Sequence, residues 1–225
     1  MNSKNMLKLT ATAALLAGAS VAQAGFVPVS NVGSGLNTID IVSNNEFRPS
    51  LATLGVTKYT LGGSLTTDSA GSVAFYYYGK EAGYQNIFTA SGTNGSLIKD
   101  SGYSPTYTNN FGAPVAIGSV DVLSGFLNFG FCSNSAPGQS VGCVNNQQND
   151  WLNLGSLQSI AFSVAGNVAW IFWDDSGAGP DDNHDDMLIK AVFTPRSVPE
   201  PATLGLFGLG LLGVWAGARR RLRKA

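Results

Sequence analysis

The chain has few charged side chains and a single histidine, and these shortages exclude several kinds of catalytic site. Asp, Glu, Lys and Arg together make up 12% of its 225 residues. With one histidine no H-E-x-x-H zinc motif is possible, and no G-x-S-x-G segment marks a nucleophile elbow. The aspartates around His184 favour its charged form, which makes it a poor general base for a serine. We therefore expect no catalytic residues and no enzyme.

Basic residues are scarce between the two ends of the chain. Residues 25–198 hold all fourteen acidic residues except Glu200, but only six of the thirteen Lys and Arg. Thirteen acidic and six basic residues give this region a formal net charge of about −7. Nucleic-acid phosphates require a basic surface, so we do not expect this region to bind nucleic acid.

Long stretches with helical periodicity are also missing, which argues against a parallel sheet alternating with helices. Short apolar or alternating segments recur instead, separated by Gly, Asn, Pro or Ser. We expect an all-β fold over residues 25–194, an antiparallel β-sandwich or jelly roll, with a hairpin turn at Gly166 and Asn167. The predicted strands are Thr38–Val42, Val56–Leu61, Ser72–Tyr78, Asn86–Thr89, Ser96–Lys99, Val115–Ile117, Gly125–Phe131, Ser159–Val164, Val168–Trp173 and Met187–Phe193.

The chain has two cysteines, Cys132 and Cys143. The ten residues between them are polar and include Gly and Pro. In an oxidising compartment a disulfide closing this loop is the natural expectation. One cysteine pair with no histidine nearby does not suit a metal site.

The N-terminal residues 1–24 have the layout of a signal peptide. Lys4 and Lys8 supply a positive start, and an apolar or small-residue run follows over 9–21. Ala22-Gln23-Ala24 places small residues at both positions that signal peptidase reads. We predict cleavage before Gly25 and export across the inner membrane.

The C-terminal region predicts a membrane anchor. Residues 195–201 form a linker that contains Pro199, Glu200 and Pro201, and residues 202–218 carry no charge. Seventeen residues in a helix span about 25 Å, near the lower limit for a hydrocarbon core of about 30 Å. The Arg-rich tail, residues 219–225, predicts a cytoplasmic end. The body would then lie outside the inner membrane. A single-pass anchor, either transient or permanent, would hold it there.

Pro199-Glu200-Pro201, the Gly/Leu-rich segment and the terminal Arg cluster together resemble the PEP-CTERM sorting signal of Gram-negative bacteria. The resemblance implies an exported protein that an exosortase recognises and processes at the Pro-Glu-Pro motif. It implies a destination at the cell surface or in the exopolysaccharide matrix of a biofilm.

An acidic segment joins the last two predicted strands. Residues 174–186 hold six of the thirteen acids in the body and no Lys or Arg. Oxygen ligands on a Gly-containing loop suit Ca²⁺, although Asp186 and Val192 stand where an EF-hand needs Gly and Glu. A calcium loop and a solvated acidic turn both remain open. The candidate metal ligands are Asp174, Asp175, Asp181, Asn183, Asp185 and Asp186.

Two body segments are similar to segments that recur in PEP-CTERM exported proteins. One runs from Asn183 to Ile189, where an acidic pair directly precedes an apolar strand. The other runs from Tyr78 to Asn86 and reads Gly-Lys-Glu-Ala-Gly-Tyr-x-Asn from Gly79 onward. The similarity implies a β-rich exported protein, and it leaves calcium binding as a hypothesis.

Three functions follow from these patterns. The first is a structural or adhesive surface or matrix protein with a candidate calcium-binding loop. The second is a carbohydrate-binding module that stacks sugars on Trp173, Tyr76 and Tyr78, although core packing is the first explanation for such aromatics. The third is a glycan-active enzyme using Glu81 opposite an Asp, against the simpler interpretation of Glu81 as a surface group in a turn.

Overall fold

The structure of the protein is a computed structural model that describes residues 24–30, 36–81, 83–103, 106–136, 139–149, 158–175, 183–196 and 210. The chain divides into two compact units, residues 1–195 and 196–225. The predicted signal peptide, apart from Ala24, and the predicted membrane helix, apart from Gly210, lie outside the described residues. Within the described ranges no helix is long and apolar enough to cross a membrane.

The described residues of the first unit form antiparallel strands with one short α-helix, α1, at Arg48–Thr53 and a 3-10 turn at Asn146–Gln148. The strands are β1 Phe26–Val29, β2 Asn37–Asp40, β3 Lys58–Leu61, β4 Ser64–Thr67, β5 Gly71–Lys80, β6 Gln85–Gly92, β7 Gly95–Asp100, β8 Thr108–Asn109, β9 Val115–Val122, β10 Gly125–Phe126, β11 Asn128–Ala136, β12 Gln139–Asn145, β13 Ser159–Ala165, β14 Val168–Asp174 and β15 Met187–Pro195.

These strands form three sheets, which confirms the predicted antiparallel all-β class. The largest has eight strands in the order β2-β3-β13-β14-β15-β5-β8, with β9 also paired to β5. A four-stranded sheet runs β12-β11-β6-β7, and a three-stranded sheet runs β1-β4-β10. The predicted hairpin at Gly166 and Asn167 joins β13 to β14, with Gly166 at φ 59°, a conformation that glycine adopts without strain.

The main core lies between the eight-stranded and four-stranded sheets. Alternation along β5 sends Val73, Phe75 and Tyr77 into this core, where they belong to one cluster with Phe88 and Phe131 of the smaller sheet. The two sheets therefore pack as a sandwich, each burying one apolar face against the other.

The outer face of the eight-stranded sheet is covered as well. A second apolar cluster there contains Trp170, Phe172 and Leu188 of the sheet together with Phe47 and Leu51. Phe47 immediately precedes α1, and Leu51 lies within it. A strand buried on both faces needs apolar residues at successive positions rather than at alternate ones. This explains the unbroken apolar run along β14, which is buried from Ala169 onward.

Cys132 and Cys143 form a disulfide. They lie directly opposite each other on β11 and β12. The segment between them was predicted to be a loop, and that prediction is wrong for most of its length because both strands continue into it. The disulfide therefore links neighbouring strands at the edge of the four-stranded sheet.

We expect reduction of this disulfide to lower the free energy of unfolding by about 2.5–3 kcal/mol, the chain-entropy value for a loop of this size. Urea unfolding with and without dithiothreitol measures the change. A Cys132→Ser/Cys143→Ser double variant is the control and should show the lower stability under both conditions. Equal stability of the reduced and oxidised wild type would contradict the prediction.

Candidate functional site

The acidic residues lie where four strand ends meet at one end of the sandwich. Asp174 is the last residue of β14. Asp186 immediately precedes β15, the strand that pairs with β14. Glu81 follows β5, and Asn86 lies at the start of β6. The fold therefore brings together the two segments of residues 78–86 and 183–189. We call Glu81, Asp174, Asp175, Asp185 and Asp186 the carboxylate cluster.

Four members of the carboxylate cluster are buried. Asp174 and Asp185 have no exposed surface, and Asp175 and Asp186 are 3% and 6% exposed. Asn183 is buried beside them, whereas Asp181 lies outside the described residues. The alternative of a solvated acidic turn is therefore wrong for the described part of this segment.

Hydrogen bonds fix Asp175 and Asp186 to Asn86. The backbone N–H of Asp175 donates to Asp186 Oδ2 over 2.6 Å, and the Asn86 amide donates to Asp175 Oδ2 over 2.7 Å. Asn86 also donates to the carbonyl of Asp186 at 3.2 Å. On its other side, Asn86 Oδ1 accepts from Trp173 Nε1 at 3.2 Å and from the Ser133 hydroxyl. Asn86 thus anchors the acidic segment to both sheets.

Asp185 and Glu81 complete the arrangement. The backbone N–H of Glu46 donates to Asp185 Oδ2 over 2.7 Å, and the backbone N–H of Glu81 donates to the Asp185 carbonyl over 3.1 Å. Glu81, Asp185 and Asp186 can each offer one carboxylate oxygen such that these atoms all lie within 4.8 Å of one another. Glu81 is partly buried immediately after β5, and the fold places its carboxylate beside two buried ones. Three carboxylates at this spacing can ligate one cation.

Burial and neighbouring negative charges both disfavour ionisation of Asp186. Burial and the neighbouring charge of Asp175, followed by those of Asp174 and Asp185, raise the pKa of Asp186 to about 9. Nearby, the ammonium of Lys80 is buried and donates to the carbonyl of Gly102 at 2.7 Å. Burial lowers the pKa of Lys80, while Asp100 and Asp175 act in the opposite direction. Without a cation the cluster therefore holds a proton at neutral pH.

His184 lies at the edge of the cluster in a triad-like arrangement. Its Nε2 is 2.7 Å from the Ser159 hydroxyl, and its Nδ1 is 3.9 Å from Asp174 Oδ2. The backbone of His184 has φ 58°, and Asn45 Nδ2 steadies the turn by donating to the carbonyl of Asn183 at 2.8 Å. The serine–histidine contact suits a nucleophile and its base, but the histidine–aspartate separation exceeds a hydrogen bond.

We expect a fluorophosphonate probe not to label Ser159. Ser159 is buried, and the distance from His184 Nδ1 to Asp174 Oδ2 is too long for Asp174 to orient the histidine as a general base. Incubation of the exported protein with the probe, followed by intact-mass measurement, checks this. The control is Ser159→Ala. Neither the wild type nor this variant should gain mass beyond background labelling. Labelling of the wild type that is lost in Ser159→Ala would contradict the prediction.

The structure contradicts the predicted sugar-stacking role of Trp173. Trp173 has no exposed surface and stacks on Phe131 in the main core, with ring centroids 5.0 Å apart and planes 9° apart. It therefore has no face open to a ligand. Tyr78 is largely covered by Trp170 and Phe111, at 4.7 Å and 4.9 Å between centroids, and Tyr76 is half-buried on the same outer face.

Comparison with known proteins bears on the C-terminal region. A model of the PEP-CTERM protein-sorting motif matches residues 197–221. The chain carries a PEP-CTERM sorting motif. The motif supports an exported protein that undergoes membrane-associated sorting and processing by an exosortase. The matched residues, like Pro199, Glu200 and Pro201 within them, lie outside the described residues apart from Gly210. No curated protein and no solved structure matches the chain.

Sequence reasoning missed several residues of the site. Asn86 ends the segment that begins at Tyr78, but its contacts with Asp175 and Asp186 are made across 89 and 100 positions of the chain. Asn45 and Ser159 carried no signal, since single polar residues at strand ends are common. A buried asparagine or serine becomes recognisable only once the surrounding strands are placed.

Proposed function

We propose that the exported domain is a structural or adhesive protein of the cell surface or extracellular matrix, and that its carboxylate cluster binds Ca²⁺. One observation carries this proposal: Glu81, from the segment after β5, meets Asp185 and Asp186, from the segment before β15, with carboxylate oxygens within 4.8 Å. These residues come from both segments that resemble parts of PEP-CTERM proteins. The cluster is therefore assembled by the fold rather than by one loop.

The burial of the cluster favours a cation. Moving an ionised carboxylate out of water costs several kcal/mol unless an opposite charge compensates it. Lys80 lies near Asp175 but directs its ammonium to the carbonyls of Tyr84 and Gly102. A bound divalent cation would compensate the remaining negative charge and replace the proton held by Asp186.

The ligand type favours Ca²⁺ over Mg²⁺. Ca²⁺ accepts six to eight oxygens in irregular geometry, whereas Mg²⁺ requires near-octahedral geometry and retains its water. The cluster offers carboxylate oxygens from residues that follow β5 and precede β15. Extracellular Ca²⁺ sites work at millimolar concentrations, so binding would stabilise the domain after export.

Thermal unfolding of the exported protein tests the proposal. At a hundredfold excess of Ca²⁺ over its Kd, we expect the melting temperature to rise by about 5–10 °C, with a smaller rise for Mg²⁺. Glu81→Gln should lose most of this shift because it removes a ligand charge. Asp40→Asn, at an exposed acid of β2, is the matched control and should keep the shift. No shift in the wild type, or an equal shift in Glu81→Gln, would contradict the proposal.

A second candidate function is polysaccharide binding, and a groove on the outer face favours it. The groove has a volume of about 450 Å³. Phe111 in its wall stacks on Trp170 at 5.7 Å, and Lys190 Nζ lies 5.3 Å from the centre of the Trp170 ring. Aromatic faces beside hydroxyl and ammonium donors suit a sugar ring. The groove is lined by Pro49, Ser50, Thr53, Leu54, Tyr78, Phe111 and Lys190.

Affinity electrophoresis in gels containing the organism's exopolysaccharide tests this second function. We expect retardation of the wild type and its loss in Phe111→Ala. Phe126→Ala removes an aromatic ring that is 53% exposed outside the groove and serves as the control. Equal migration of all three proteins with and without polysaccharide would rule out binding in the groove.

We propose a non-catalytic role for Glu81. Glycosidases hold their two carboxyl groups about 5–5.5 Å or 6.5–9.5 Å apart on either side of a sugar. The acids whose oxygens come within 4.8 Å of a Glu81 oxygen, Asp185 and Asp186, are both buried. Buried partner carboxylates suit a shared cation better than a sugar bound between them.

A further inference from the structure

The start of β1 contains an unusual contact between the backbone and a carboxylate. The backbone nitrogen of Gly25 lies 3.1 Å from Asp68 Oδ1 and 3.1 Å from Asp68 Oδ2. In return, the backbone N–H of Asp68 donates to the carbonyl of Gly25 at 3.3 Å. Because β1 and β4 pair with Phe26 opposite Thr67, Gly25 and Asp68 lie opposite each other just beyond the ladder.

An amide nitrogen makes poor use of this arrangement. It has one hydrogen, which two carboxylate oxygens at equal distance must share. An α-ammonium group has three hydrogens and a positive charge, so it can donate to both oxygens in charge-assisted hydrogen bonds. Gly25 is also the residue that the Ala22-Gln23-Ala24 pattern predicts to become the first of the mature chain.

We propose that Asp68 binds the α-ammonium group that signal peptidase creates at Gly25, so that removal of the signal peptide completes a contact of the mature fold. The site is a receptor for the protein's own new N-terminus. It is independent of the carboxylate cluster and of calcium.

The position accepts glycine specifically. A Cβ at residue 25 would lie 2.6 Å from the carbonyl oxygen of Gly166, a distance that real Cβ atoms do not reach. That same carbonyl accepts a hydrogen bond from the backbone N–H of Phe26 at 2.9 Å. The hairpin turn at Gly166 therefore fixes the position of Gly25, and the Asp68 carboxylate faces the nitrogen placed there. Ser69 supports the carboxylate by donating to Asp68 Oδ1 at 3.1 Å.

The test uses exported protein from a host that cleaves the signal peptide. Intact mass should give Gly25 as the first residue, and Asp68→Asn should lower the melting temperature by about 1–3 °C. A second variant carries one serine inserted between Ala24 and Gly25. This insertion leaves the Ala-Gln-Ala site unchanged and moves the ammonium one residue away. Ala24 is partly buried against the main core, so the fold accommodates a residue at this point.

In the serine-insertion protein, Asp68→Asn should change the melting temperature by less than half of its effect in the mature chain. The α-amine gives a second readout, because pairing with Asp68 keeps it protonated and unreactive. At neutral pH we expect acylation of the α-amine to be about threefold to tenfold slower in the mature protein than in its Asp68→Asn variant. A first residue other than Gly25, or equal effects of Asp68→Asn in both backgrounds, would overturn the proposal.

Discussion

Trp173→Ala is expected to lower the free energy of unfolding by about 3–5 kcal/mol, the range for truncating a buried aromatic side chain. Trp173 has no exposed surface and stacks on Phe131 between the two main sheets. The substitution also removes the indole N–H that donates to Asn86 Oδ1 and to the Ser133 hydroxyl. Chemical denaturation of the exported protein measures the loss.

Two further variants separate packing from hydrogen bonding at this position. Trp173→Phe retains an aromatic ring but removes the N–H that donates to Asn86. It should therefore lower the free energy of unfolding by less than Trp173→Ala does. Phe126→Ala is a surface control and should change stability by about 0.5 kcal/mol or less. A cost for Trp173→Ala no larger than that of the surface control would contradict the buried position of Trp173.

The calcium-free protein is expected to lose stability as the pH rises. The pKa of Asp186 is raised to about 9 in the folded protein from its ordinary value of 3.8. Between these two values the folded form retains a proton that the unfolded form has lost. Stability is therefore fully present below about pH 4 and declines as the pH rises toward 9. One such proton accounts for a slope of at most about 1.4 kcal/mol per pH unit.

The variant Asp186→Asn tests this origin of the pH dependence. The amide cannot ionise, while its oxygen can still accept the hydrogen bond from the Asp175 backbone. We expect the slope between about pH 5 and pH 8 to flatten and the stabilisation by Ca²⁺ to disappear. Denaturant unfolding at several pH values, with EDTA or with Ca²⁺, gives both quantities. An unchanged slope in Asp186→Asn would place the titrating group elsewhere.

The fold was predictable from the sequence where side-chain patterns reflect burial. Alternation along Ser72–Tyr78 and the apolar run of Val168–Trp173 both correspond to central strands of the largest sheet. The short strand Ser64–Thr67 was missed because its polar residues show no alternation. Gln139–Asn145 was missed because Gly and Pro between the cysteines suggest a loop, although the strands pair through Cys132 and Cys143.

The site was predictable only in part. Acidic density drew attention to residues 174–186, but density alone also describes a solvated turn. The contribution of Glu81 depends on the end of β5 reaching Asp185, a contact across more than a hundred positions. Sequence patterns report on neighbours two to four positions apart, so they cannot show which distant strand ends meet. The burial of Trp173 was hidden for the same reason.

The sorting motif and the carboxylate cluster have different roles in this protein. The motif concerns its export and its processing by an exosortase. The cluster belongs to the folded β-sheet domain. We propose that Ca²⁺ outside the cell replaces the proton on Asp186 and locks the connection after β5 to the connection before β15. This exchange would make the domain most stable where it is delivered.

Calorimetric titration of the exported protein with Ca²⁺ at about pH 7.5, in two buffers of different ionisation enthalpy, tests this central claim most directly. We expect one Ca²⁺ to bind per chain and about one proton to be released, which appears as a difference in heat between the buffers. The difference should vanish in Asp186→Asn. The absence of binding heat in both buffers, or binding that is equally strong in Asp186→Asn, would contradict the claim.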